Sequence, residues 1–299
     1  MSKTATLPVK KLLASDLDGT FLSKNGDITK ANIKAVAKAQ ESDLEIIFVT
    51  GRPARWLSGV SMKTGHTGHV IGANGGFVAD LATRRVVSSN VIDKEIALDA
   101  AMRIQKKFPD VTFAVERAFV GMEVVINKGV TYDLMKTTRT NDVQLAVSPG
   151  YADGWLDIST IPVAPIRDLL ELGQITKLIA KPLNASEWNT DDWLAEIAPL
   201  VSDLVQVTHA AQTNPLAEIS ALGVNKGTAL ADLISSYGMS NQDVVAIGDM
   251  PNDIPMLQWA SEGWAVNHAH EEVLAIADYV TPADDESPVA HLIYNLLSR

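Results

Sequence analysis

Asp16 and Asp18 stand two residues apart at the end of a short apolar run, in the stretch KKLLASDLDGT. An ionised carboxylate cannot stay beside a core without a partner, so two acids delivered there need a shared purpose. Three other apolar runs end the same way. LEIIFV delivers Thr50, Gly51 and Arg52, HVIGA delivers Asn74, and VVAIG delivers Asp249 with Asn252 and Asp253 close behind. Three or four carboxylates gathered in one place repel one another, and leaving them unpaired costs several kcal/mol. A hard divalent cation removes that repulsion. Mg²⁺ prefers octahedral oxygen coordination, keeps several waters and takes one or two carboxylates together with phosphate oxygens. Lys226, at the start of a helix after GVN, can add a point charge that balances acids and phosphate alike.

The elements that must position these residues are legible from pattern. Asn25 and Gly26 mark a turn. TKANIKAVAKAQESD then predicts a helix capped by Thr29, with Ile33, Val36 and Ala37 on its buried face. Continuous apolar runs such as LEIIFV are typical of strands buried on both faces, as in parallel sheets covered by helices. GFVADLATRRVV reads as a hairpin, and NKGTALADLISSYGM as a helix closed by Gly238. Asn252 is expected to cap a helix whose first turn holds Pro255, its amino end favouring Asp249, Asp253 and a bound anion. Alternation of strands and helices predicts an α/β fold with a doubly wound, mostly parallel Rossmann-like sheet, in which ligands bind outside the carboxyl ends of the strands.

Between the two halves the character changes. DKEIALDAAMRIQKKF predicts a helix with Ile96, Ala100, Ile104 and Phe108 in register, and short strands follow, separated by another helix after Thr190. This reads as an α+β cap inserted into the sheet: residues 1–82 and 220–299 form the core, and 83–219 the cap.

With 299 residues and no cysteine, the chain needs no disulfide staples and has neither a thiolate metal site nor a Cys nucleophile. The 25 Lys and Arg against 36 Asp and Glu give a formal charge of −11, which offers no basic footprint for nucleic acid. No apolar stretch has the length of a signal peptide or a membrane span, so a cytoplasmic location without membrane contact is expected. The six histidines lack metal-ligand spacing, and His268 and His270 are expected to be solvated. GANGG lacks both the spacing of a dinucleotide-binding turn and the lysine of a P-loop. Nothing in the sequence specifies an oligomeric state.

Together, DLDGT, VTGR, GVNKG and GDMPND, in this order, resemble the four motifs of the haloacid dehalogenase superfamily of phosphotransferases. The long insertion between the second and third resembles the C2-type cap of its Cof-like sugar-phosphatase branch, subfamily IIB. The resemblance implies that Asp16 is a nucleophile forming an aspartyl-phosphate and that Asp18 is the general acid and base. It implies Mg²⁺ held by Asp16, the Asp18 carbonyl and Asp249, with Asp253 acting through water. Thr50 and Gly51 would hold phosphate oxygens, Lys226 would neutralise charge, and Arg52, Asn74 and Asn252 would contact substrate or phosphate. The implied substrate is a small phosphorylated metabolite, a sugar phosphate being the leading case. His268 intervenes between Asn267 and Ala269, where that branch has Asn followed directly by Ala, so Asn267 receives no role. A sugar phosphomutase on the same core and a non-catalytic metabolite-binding protein are the alternatives. Specificity is expected in the cap, where Arg117 and Trp155 are candidates to grip a polar ring.

Overall fold

The run that carries Asp16 forms β1 (Lys11–Ser15), whose last four residues are buried. A strand buried this way needs a partner on each edge and a layer on each face. The computed structural model describes residues 11–23, 26–124, 143–151, 161–209, 214–283 and 286–299, and in it β1 lies inside an eight-stranded sheet. That sheet also contains β2 (Leu44–Val49), β3 (His69–Gly72), β4 (Phe77–Asp80) and β5 (Arg85–Ser89). A second sheet follows in the chain: β6 (Thr112–Arg117), β7 (Leu145–Val147), β8 (Ile175–Lys181), β9 (Val205–Thr208) and β10 (Ala217–Ala221). The chain then returns to the first sheet with β11 (Val244–Gly248), β12 (Glu262–Ala265) and β13 (Tyr279–Val280).

The first sheet has the order β13-β12-β11-β1-β2-β3-β4-β5. Its pairings are parallel from β13 to β3 and antiparallel at the β4 and β5 edge, so the predicted hairpin is present. From β1 the chain winds outward to one side, and after the second sheet it winds to the other, which makes the gap between β1 and β11 the topological switch point. The helices are α1 (Lys30–Gln40), α2 (Ser58–Thr64), α3 (Lys94–Lys107), α4 (Ile166–Leu170), α5 (Thr190–Val201), α6 (Lys226–Ser236), α7 (Ile254–Trp259), α8 (Glu271–Ile276) and α9 (Pro288–Ser298). Helices α1, α2 and α9 form one cluster against the first sheet, and α6 and α7 form another. This is the predicted doubly wound α/β arrangement. Among the described residues no helix is long and apolar enough to cross a membrane.

The second sheet, in the order β7-β6-β8-β10-β9, is antiparallel throughout. One face packs on α3, α4 and α5 around the fully buried Trp193, whose indole nitrogen donates to the Ala180 carbonyl at 3.1 Å. Antiparallel sheets can leave the other face for a different use. The insertion was expected over residues 83–219. β5 extends the first sheet by antiparallel pairing with β4, and β10 carries the second sheet to residue 221.

Several helical faces differ from the expected ones. Thr29 does cap α1, but the buried positions are Asn32, Ala35, Val36 and Ala39. Asn32 can face inward because its amide donates to the Phe21 carbonyl at 2.7 Å and accepts from the Ala290 amide at 3.1 Å. In α3 the buried stripe is Ala97, Ala100, Ala101 and Ile104, with Ile96 left 39 % exposed. Small residues bring that helix close to the sheet, and the closeness selects the alanine side over Ile96. Thr190 begins α5, and Asn189 is its cap, accepting from the Asp192 amide. The turn at Asn25 lies outside the described residues.

His66, after the left-handed Gly65 that closes α2, sits edge-on against Phe48 with ring centroids 4.9 Å apart. Burial pushes its pKa from 6.5 down to about 4. The unfolded chain therefore binds a proton between these values that the folded chain refuses, so stability is complete above pH 6.5 and falls as pH drops toward 4. Between those limits His66→Leu is expected to lose about 3 kcal/mol less stability than the parent, measured by urea unfolding across that range. Equal losses in the two proteins would refute the assignment.

Candidate active site

β1 and β11 pair in register, Ser15 opposite Ile247, and the Asp16 amide donates to the Ile247 carbonyl at 3.0 Å. Asp16 and Asp249 therefore leave adjacent strand ends at the switch point, although far apart in sequence. The chain after Asp16 turns at Gly19, whose φ of +81° lies in the left-handed region. A Cβ there would come within 2.2 Å of Asp249 Oδ2, so only glycine lets the turn close over that carboxylate.

Asp253 arrives through a tight turn, Pro251–Asp253, that leads into α7. Its Oδ2 accepts from the amides of Asp249 and Met250, both at 3.0 Å. Pro255 does lie in the first turn of α7, as expected, but Asn252 is not the cap. Its amide reaches sideways to Asn74 Oδ1 at 3.0 Å, because the backbone around Asp249 already uses Asp253 to satisfy its donors.

Lys226 is the first residue of α6, fixed by a reciprocal cap between Asn225 and Thr228. The helix approaches α7 through Gly227, where a Cβ would lie 2.5 Å from the Pro255 carbonyl. This puts the Lys226 ammonium, 1 % exposed, at 2.6 Å from both Asp16 Oδ1 and Asp253 Oδ1. Burial alone would lower the Lys226 pKa, but the two carboxylates outweigh it and hold the group above its usual value. For Asp16, burial wins over Lys226 and pushes the carboxyl up to about 7. Burial, reinforced by the charges of Asp16 and Asp253, likewise raises Asp249 well above the ordinary carboxylate range.

One buried lysine is therefore too little cation for three acids. Asp16, Asp249 and Asp253 each offer an oxygen within 4.8 Å of the others, and Asp16 Oδ2 is buried without a hydrogen-bond partner. An orphaned anionic oxygen beside a second carboxylate is what a hard cation would satisfy, so these residues can hold a metal ion.

The other expected residues lie around this centre in different ways. Asp18 points away from the three acids and forms a two-pronged pair with Arg52, at 2.8 and 2.5 Å. Thr50 is fully buried and its hydroxyl accepts from the Arg52 amide at 3.1 Å. Asn74, in the left-handed region at φ 57°, is buried and donates to Glu218 at 2.7 Å while accepting from Asn252. It ties the second sheet to the first and is not a wall of the cavity.

That cavity, of about 450 Å³, opens between the strand ends and the uncovered face of the second sheet. Asp16, Asp18, Gly51, Arg52, Asp249 and Asn252 line its floor. Its roof was not expected from the sequence. There Lys177, 3 % exposed at its side chain, donates to the Gly51 carbonyl at 2.8 Å and to Glu218 at 2.6 Å. Arg55, from the segment after Gly51, forms a two-pronged pair with Glu116 of β6. The available signal was two charges four residues apart in an apolar strand, Lys177 and Lys181 in ITKLIAK, a spacing that places both on one sheet face.

Arg117 does not reach the cavity. Strand alternation places it on the face opposite Glu116, where it is buried and its guanidinium donates to the carbonyls of Val143, Leu172 and Gly173. Trp155 lies outside the described residues. His270 is buried as the cap of α8 rather than solvated, and the exposed His268 is hydrogen-bonded at 3.0 Å to the carbonyl of Gly19.

The chain is 26 % identical over 292 residues to the 5-amino-6-(5-phospho-D-ribitylamino)uracil phosphatase YwtE of Bacillus subtilis, covering 96 % of this chain and 98 % of that one. It is 28 % identical over 303 residues to the phosphatase YwpJ of the same organism, covering 96 % and 100 %. Its fold matches that of BT1666 from Bacteroides thetaiotaomicron, with a TM-score of 0.72, 21 % identity, and 99 % and 100 % of the two chains covered. Residues 13–293 match the model of the haloacid dehalogenase-like hydrolases, and the chain belongs to that family, in its Cof-like branch.

Proposed function

We propose that this enzyme is a Mg²⁺-dependent phosphatase that releases phosphate from a small phosphorylated metabolite, with a sugar phosphate as the leading class. The observation that carries this reading is the state of Asp16. One of its oxygens is held by Lys226, while the other is buried, unpartnered and part of a three-carboxylate cluster at the floor of a cavity. Curated relatives that match the chain over nearly its whole length are named phosphatases, which supports the same reading.

In this proposal Mg²⁺ would be held by Asp16, Asp249 and the Asp18 carbonyl, with Asp253 acting through water, and when bound would offset the negative charge of acids and phosphate. A carboxylate oxygen of Asp16 forms a bond to phosphorus as the ester P–O bond breaks, giving an aspartyl-phosphate. Asp18 gives its proton to the leaving oxygen. It then takes a proton from the water that attacks phosphorus and frees Asp16. Arg52, which grips Asp18 before substrate arrives, is the natural partner for phosphate oxygens, and exchanging one anion for the other would release Asp18 for this task. Thr50 and the Gly51 amide shape the phosphate loop, and Lys177 braces that loop from the Gly51 carbonyl. Asn74 positions Asn252 against Glu218. Residues from about 92 to 221 act as the cap that excludes water and selects the leaving group.

Phosphate release from p-nitrophenyl phosphate is expected to require Mg²⁺, to stop with a chelator, and to fall by about a thousandfold or more in Asp16→Asn. Full activity in that variant would refute the nucleophile. Independently of turnover, Mg²⁺ should raise the thermal unfolding midpoint of the parent and leave that of Asp249→Asn unmoved. Lys226→Met leaves buried carboxylates facing one another and is expected to lower the unfolding free energy by about 3 kcal/mol in urea titrations without metal. A variant as stable as the parent would show that the lysine does not hold the cluster together.

A further inference from the structure

β8 turns Lys177, Ile179 and Lys181 toward the cavity, while Leu178 and Ala180 lie in the helix-covered core. Lys177 marks the end nearest the acids, where it bonds to the Gly51 carbonyl. Four residues on, along a strand rising about 3.3 Å per residue, Lys181 stands roughly 13 Å away at the far wall. Ile179, Leu145 and Leu216 give the space between them an apolar lining.

Four cations line this cavity: Arg52, Arg55, Lys177 and Lys181. The first three are matched by the carboxylates of Asp18, Glu116 and Glu218. Among the described residues Lys181 has no carboxylate in ion-pair reach. Its ammonium donates to the Tyr151 carbonyl at 3.3 Å and lies 5.7 Å from the centre of the Tyr151 ring. A carbonyl and a ring face orient a cation without cancelling its charge. Tyr151 is itself buried, so the anchor is firm. In a chain of formal charge −11, Lys181, alone among the four lining cations in having no ion pair with a described residue, faces the part of the cavity farthest from the acids.

Resting on the phosphatase reading above, we propose that Lys181 selects phosphate esters whose leaving group carries a second anion, a carboxylate or a phosphate, at the end of a sugar-length chain. Arg55 and Lys177 do not compete for that anion, because each is held in a buried pair with its own carboxylate, unlike the more exposed pair of Arg52 and Asp18.

Two matched pairs of esters test this. Sorbitol 6-phosphate and 6-phosphogluconate differ only in a terminal hydroxymethyl or carboxylate group, and fructose 1-phosphate and fructose 1,6-bisphosphate differ in a terminal phosphate. In at least one pair kcat/KM is expected to favour the doubly anionic ester by about tenfold or more, as an added charged contact would give. A preference in the first pair assigns the carboxylate, and in the second the phosphate. Lys181→Met should bring that ratio to about one through a rise in KM for the doubly anionic ester, and Lys181→Arg should keep it. Because each ratio compares two esters on one protein, partial misfolding cannot imitate the result. Ratios near one in the parent for both pairs, or an unchanged ratio in Lys181→Met, would overturn the proposal while leaving p-nitrophenyl phosphate turnover intact. If no ester is hydrolysed, the phosphatase reading fails. The dissociation constants of the same four esters, measured by calorimetry on both proteins, then decide the role of Lys181 by the same ratios.

Discussion

A buried ammonium held between two carboxylates, with a third carboxylate beside them, is the constraint on which the rest of the structure depends. Each charge taken singly is costly in a core, and the cluster is stable only because its members compensate one another. Lys226 must be the first residue of its helix to reach both Asp16 and Asp253, and that helix must pack closely enough on its neighbour for glycine to be needed at position 227. Asp253 in turn uses its second oxygen to order the backbone that presents Asp249. Compensation is incomplete, however: burial raises the pKa of Asp16 and of Asp249 in spite of Lys226. The fold thus stores a demand for additional positive charge at the place where parallel strands end.

The second sheet answers this centre with a different arrangement. Its helix-covered face is an ordinary apolar core around Trp193, whereas its other face carries Glu116, Lys177, Lys181 and Glu218 among apolar residues and lies over the acids. Among the described residues, the links between the two layers beside the acids include Lys177 to Gly51, Arg55 to Glu116, and Asn74 to Glu218. All three are polar and largely buried, so they specify a mutual placement more sharply than an apolar contact could, since a misplaced layer would strand charged groups. They also meet the first sheet close to Gly51, Arg52 and Asn74, at the ends of two of its strands. The second sheet is therefore tied directly to the Gly51 segment and to Asn74.

Asp18 shows how the same residue type can serve a different purpose two positions away. Asp16 is sealed in the cluster, but Asp18 is half exposed and held by Arg52, a pair that solvent weakens and that an incoming anion can exchange. In the proposed mechanism that exchangeability would suit Asp18, which as general acid and base would face first the leaving group and then water. The left-handed turn at Gly19, pinned by His268 through its carbonyl, determines where Asp18 can swing.

The architecture and the floor of the site were legible because both depend on local pattern. Apolar runs ending in Asp16, Thr50, Asn74 and Asp249 identify buried strands, and a doubly wound sheet brings their ends to one edge whatever the details of packing. Order and spacing also carried the family resemblance. Finer choices escaped because three-dimensional neighbours decide them. Asn32 reads as a surface residue until Phe21 and Ala290 supply its partners. Asn252 reads as a cap until Asp253 takes over the local donors. Arg117 reads as a hand for substrate until its place on the face opposite Glu116 hands it to a set of carbonyls. The roof of the cavity depended wholly on tertiary structure, since a lysine in an apolar strand is recognisable, but which loop it braces and which carboxylate it meets follow from the docking of one sheet on another. Strand identity and the chemistry at strand ends were thus written in the linear chain, because periodicity and burial act over a few residues. Partner choice among the charges was settled only in the folded molecule, because electrostatic compensation is a property of groups brought together from distant positions.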